Sequence, residues 1–152
     1  MTRLRHYVMV LVATLGLAGL SAQVAAEVVD FGAHQVHYSV FPSTFLSPEV
    51  AAANNLNRSR AIGIVNVSVM QKNELGGLQT VPAQMEGRVI NDIQQVRFLA
   101  FRRIKEGDAI YFIAEFQYRE AELLTFQITA RPTGSNAELP VRFAHTLYNE
   151  KP

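Results

Sequence analysis

Alternation of apolar and polar side chains at a period of two runs through most of this chain, and it commits the chain to β-structure. In the clearest case, Leu124, Phe126, Ile128 and Ala130 alternate with Thr125, Gln127, Thr129 and Arg131. Successive side chains of a strand point to opposite faces, so such a segment has one face for a core and one for water. The pattern recurs in Val81, Ala83, Met85, Gly87 and Val89, set between Pro82, Gln84, Glu86 and Arg88. Because Pro82 cannot donate to a ladder, its strand is expected at an edge or with an irregular start. Residues 35–41 form a first strand with Val36, Tyr38 and Val40 on one face, ended by Pro42. Residues 62–71 are apolar on both sides, which places that strand centrally.

Residues 96–104 and 109–118 flank Lys105-Glu106-Gly107-Asp108, a four-residue hairpin loop with the glycine such loops favour. In the second of these strands Ile110, Phe112, Ala114, Phe116 and Tyr118 share one face, and Tyr111, Ile113, Glu115 and Gln117 the other. A final strand puts Leu139, Val141, Phe143, His145 and Leu147 on one side. One helical segment stands out: Ser47 caps Pro48, residues 49–53 continue, and Asn54 and Asn55 stop it. About seven short antiparallel strands with one short helix after the first predict an all-β, immunoglobulin-like sandwich, with a small β-barrel as runner-up.

The N-terminus obeys a different rule. Arg3, Arg5 and His6 precede the apolar run 7–20, and Val24, Ala25 and Ala26 place small residues where a signal peptidase acts. The run has Gly16 and Gly19 within it and falls short of the roughly 20 apolar residues that a membrane-spanning helix needs. Residues 1–26 therefore read as a cleaved signal peptide and residues 27–152 as one domain in the periplasm, with no stable membrane anchor. The chain has no cysteine, so lipidation, disulfides and thiol chemistry are excluded.

Charge narrows the partners. Of 14 Lys and Arg, Arg3 and Arg5 leave with the signal, so 12 face 13 Asp and Glu, a net of −1. Nucleic-acid binding loses its main source of affinity. Arg102, Arg103 and Lys105 are answered at once by Glu106 and Asp108.

Catalytic patterns are scarce. Gly-x-Ser-x-Gly and phosphate-cradling glycine loops do not occur, so no cofactor is expected. The carboxylate pairs Glu106/Asp108 and Glu120/Glu122 sit at exposed corners that would not separate their pKa values. His34 and His37 differ by an odd step and point to opposite faces of a strand. His37 and His145, with Met70 or Met85, are the weak alternative for a copper or zinc site assembled across strands.

The segments His37-Tyr38, Ser43-Thr44-Phe45-Leu46, Pro48-Glu49-Val50, Arg58-Ser59-Arg60, Gly63 to Val69 and Glu106-Gly107-Asp108-Ala109-Ile110-Tyr111 resemble the family of domain of unknown function 4426. The resemblance spans nearly all of the chain after the signal. It implies a small exported protein of Gram-negative bacteria with an immunoglobulin-like domain, and it carries over no activity and no site residues.

Residues 42–60 form a longer excursion than a sandwich requires between its first strands, and long ordered loops often carry function. Ser43, Thr44, Phe45, Asn57, Arg58 and Arg60 are the candidate binding residues there. The structural alternative is that Phe45, Leu46, Val50 and Leu56 cap an open end of the sandwich. Together these features predict a non-catalytic binding module for a periplasmic or envelope protein, using a sandwich face, an edge strand or this loop. The competing reading is an enzyme or metal-handling protein.

Overall fold

A computed structural model describes residues 26–149, so the signal segment lies outside the described residues except for its last position. Among the described residues ten strands form two antiparallel sheets: β1 (Glu27–Asp30), β2 (His34–Pro42), β3 (Ile62–Lys72), β4 (Leu78–Thr80), β5 (Ala83–Ile90), β6 (Val96–Leu99), β7 (Arg102–Glu106), β8 (Ala109–Gln117), β9 (Leu123–Pro132) and β10 (Leu139–Thr146). The first sheet runs β1-β2-β3-β8-β7, with β4 on β3 beyond the end of β8; the second runs β10-β9-β5-β6. This is the expected two-layer sandwich and not a closed barrel.

The core fills the space between the sheets. From the first come Val36, Val40, Val65, Val67, Val69, Ala114 and Phe116; from the second, Val89, Phe126, Ile128, Ala130 and Val141. Aromatic rings tie the layers together. Phe126 meets Phe116 edge-on at 5.1 Å and stacks on Phe143 at 4.9 Å, and Phe143 stacks on Tyr38 at 4.0 Å. Such pairs add roughly 0.5–1.5 kcal/mol each beyond the area they bury. Gly63, directly opposite Phe116 on β8, makes room for that ring: a Cβ there would lie 2.3 Å from Phe116 Cζ.

Several expectations need correction. The stretch 96–104 is two strands, because the chain leaves the second sheet after Leu99 and enters the first at Arg102. Leu99 is buried in the core and Phe101 packs against it, so the crossing segment itself fills the gap between layers. Strands β1 and β4, of four and three residues, were too short to carry a periodic signal. β5 is an interior strand between β9 and β6, so Pro82 marks no edge. It stands just before the first residue of β5, where its carbonyl accepts the Thr133 amide at 2.9 Å, which is the irregular start. β3 is central as expected, paired to β2, β4 and β8.

The excursion after β2 contains a single 3-10 turn (Ser43–Phe45) and helix α1 (Pro48–Ala53). Ser47 Oγ accepts the Val50 amide at 3.2 Å, the cap the sequence predicts. The excursion does not cap an end of the sandwich. It lies over the outer face of the first sheet, where Leu46, Ala51 and Leu56 build a second core on Phe41, Ile64, Tyr111 and Ile113. The reason is visible in the outward residues Ile64 of β3 and Tyr111 and Ile113 of β8, which are apolar and need a cover.

Candidate functional site

The six candidate residues of the excursion are woven into its own scaffold. Ser43, fully buried, donates from Oγ to the Ser59 carbonyl at 2.9 Å and accepts the Ser59 amide at 2.8 Å. Arg58 reaches back to the opposite limb, its Nε donating to the Leu46 carbonyl at 2.7 Å and its Nη2 to the Thr44 carbonyl at 3.3 Å. Asn57 donates from both its amide and Nδ2 to the Glu115 carboxylate, each at 3.0 Å. Arg102 stands 3.7 Å from the same carboxylate and donates to the Asn55 carbonyl at 3.1 Å. Phe45 packs on the second core, and the Arg60 carbonyl accepts from Asn149 Nδ2 at 2.9 Å. Of the six, only the guanidinium of Arg60 projects from the loop as a charged group without a bond inside it.

The histidines do not converge. His37 lies on the outer face of β2, where Nε2 donates to Gln35 Oε1 at 3.0 Å; burial pushes its pKa down. Gln35 in turn donates to Asp30, whose carboxyl is held below its ordinary value by the Gly32 amide and by Lys72 at 3.1 Å. His145 pairs with core-facing Leu124 and so lies on the inner side, beyond the first sheet from His37. Its pKa is also lowered, desolvation outweighing the opposing Glu27 carboxylate. Met70 shares the outer face with His37, whereas Met85 packs on the inner core. Among the described residues no three His, Asp or Glu side chains lie close enough to share a metal ion.

The feature that the sequence did not single out is on the outer face of the second sheet. An open groove of about 620 Å³ runs there, lined by Arg88, Phe98, Gln127, Thr129, Pro140 and Arg142 with Glu86 at its side. The strand register aligns four of these residues. Phe98 pairs with Arg88, Arg88 with Gln127, and Gln127 with Arg142, so they form one row across β6, β5, β9 and β10. Arg88 Nε donates to Gln127 Oε1 at 2.7 Å. Arg131 holds Glu86 and Glu138, each at 2.9 Å, which neutralises the acid beside the groove. Phe98 is 85% exposed. One sequence signal marked it: in Phe98-Leu99 two apolar residues are adjacent, and only one can face the core.

A family model described as domain of unknown function (DUF4426) matches residues 28–150. This chain belongs to the DUF4426 family. A solved DUF4426 family protein from Pseudomonas aeruginosa PAO1 is 35% identical, with a TM-score of 0.71, covering 83% of this chain and 97% of that one. More distant in sequence is FetP of uropathogenic Escherichia coli strain F11. A copper-bound variant of it is 12% identical with a TM-score of 0.58, over 81% of this chain and 95% of that one. The as-isolated form, expressed in the periplasm, is 11% identical with a TM-score of 0.60, over 84% and 98%. At that identity the likeness shows the fold alone, and the copper belongs to FetP. No curated protein matches the chain. Among the described residues no helix is long and apolar enough to cross a membrane.

Proposed function

We propose that this chain is an exported periplasmic binding module, not an enzyme, and that it recognises an envelope or periplasmic protein through the outer face of its second sheet. The observation that carries this reading is Phe98, a large apolar ring 85% exposed at the rim of a groove. Exposed apolar surface gains about 25 cal/mol per Å² when a partner removes it from water, and aromatic rings are favoured anchors of interfaces. Ile93 and Val96, also exposed, extend the apolar margin along the same hairpin. Export rests on the basic, apolar and small-residue order of positions 1–26, and the periplasmic expression of the fold neighbour FetP agrees with it.

The test is capture from periplasmic extract with tagged wild-type protein, Phe98→Ser and Arg60→Ser. A reproducible partner retained by Arg60→Ser and lost by Phe98→Ser supports the reading. Loss in Arg60→Ser with retention in Phe98→Ser moves the interface to the excursion. Protein recovered alone with stoichiometric copper or zinc overturns the binding-module reading.

A further inference from the structure

We propose that the row Phe98, Arg88, Gln127 and Arg142 receives an extended, acidic segment of the partner polypeptide laid across the strands; this rests on the binding-module reading above and names its ligand class. The polar groups that the row leaves unspent are nearly all donors. Arg88 uses Nε on Gln127 Oε1, which fixes the guanidinium plane and occupies one lone pair of that oxygen. The terminal nitrogens of Arg88 and the amide nitrogen of Gln127 remain. Arg142 has no side-chain partner among the described residues, and neither arginine has a carboxylate within ion-pairing distance there. Thr129 adds a hydroxyl one pair further along β9. Glu86, the acid on the groove wall, is already held by Arg131. A ligand that complements this row supplies acceptors, and carboxylates match guanidinium forks with paired bonds.

Spacing selects an extended polypeptide. Neighbouring strands lie about 4.8 Å apart, so Phe98 and Arg142, three strands apart, are separated by about 14 Å, and the Arg88–Gln127 pair is centred about 7 Å from Phe98. In an extended chain, side chains on one face recur every two residues, about 6.8 Å, and four residues span about 13.6 Å. An apolar residue at one position therefore rests on Phe98, an acid two residues on meets Arg88 and Gln127, and an acid four residues on meets Arg142.

The experiment measures fluorescence anisotropy of two labelled decapeptides with protein purified after periplasmic expression of the full chain. One peptide carries the central sequence Leu-Thr-Asp-Thr-Asp; its twin has Asn in place of both Asp. The acidic peptide is expected to bind at least tenfold more tightly, and more weakly as salt is raised. Arg142→Gln and Arg88→Gln are each expected to lower that affinity fivefold or more, while Arg119→Gln, away from the groove, leaves it unchanged. Arg88→Lys separates charge from geometry: it retains the positive charge and is expected to recover part of the loss. Equal binding of the twins, or an unchanged preference in Arg142→Gln, overturns the proposal. Tighter binding of a heparin oligosaccharide, displaced by neither peptide, also overturns it in favour of a glycan. If neither peptide binds while capture of a partner still depends on Phe98, the acidic ligand falls and the binding module stands. If capture ignores Phe98, the module's interface falls as well.

Discussion

Ser43 and Ser59 are joined by two hydrogen bonds through a single hydroxyl, one given at 2.9 Å and one received at 2.8 Å. This clasp closes the two limbs of the excursion over the outer face of the first sheet. Ser43→Ala removes both bonds and leaves the half-buried Ser59 amide without its acceptor, where an unmet polar group costs up to about 1–3 kcal/mol. Urea unfolding is expected to show a loss of that size. Ser59→Ala, which keeps the backbone partners, is expected to cost less.

Gly63→Ala tests how tightly the aromatic core closes on β3. The added methyl would fall 2.3 Å from the Phe116 ring, so the ring must move and disturb its edge contact with Phe126. Overpacking of this kind costs roughly 1–3 kcal/mol. A lowered thermal midpoint checks it, and Gly63→Ala with Phe116→Leu is expected to recover part of the loss.

Phe98 and Phe126 offer a contrast within one sheet. Phe126 is fully buried, and Phe126→Ala is expected to cost about 3–5 kcal/mol. Phe98 is 85% exposed, and Phe98→Ser is expected to leave stability within about 0.5 kcal/mol of the parent. Chemical denaturation of both variants checks the pair, and only the second is a clean probe of binding.

His37 gives stability a defined pH response. In the fold its pKa lies below the ordinary value of 6.5, because burial disfavours the charged ring. Between the two values the unfolded chain binds the extra proton, so stability is fully present above pH 6.5 and declines as pH falls through it. The decline ends once pH is below the folded value. His145 shifts in the same direction. Thermal midpoints from pH 8 to 5 are expected to fall, and His37→Gln combined with His145→Gln to flatten that fall.

Much of this architecture was legible because half-buried strands write their burial into the sequence. Every second residue from Leu124 to Ala130 is buried as the alternation required, and Ser47 caps α1 as its position before Pro48 implied. The apolar run of β3 placed it centrally, as it is, but did not show that the excursion after β2 covers Ile64 on its outer side. The split at Ala100 was hidden because Val96-Arg97-Phe98-Leu99 and Arg102-Arg103-Ile104 concatenate into one plausible strand. The groove was hidden for a different reason. Arg88, Phe98, Gln127 and Arg142 are distant in the chain, and only the register of four strands brings them into a row.

That early departure of the chain from the second sheet also limits what the β6 edge can template. β6 is an edge strand of four residues that ends where the polypeptide crosses to the opposite layer. A long, flat, apolar edge would template the pairing of one copy with the next. Here the ladder beside Phe98 is only four residues long, so the exposed ring is presented without a long backbone template next to it.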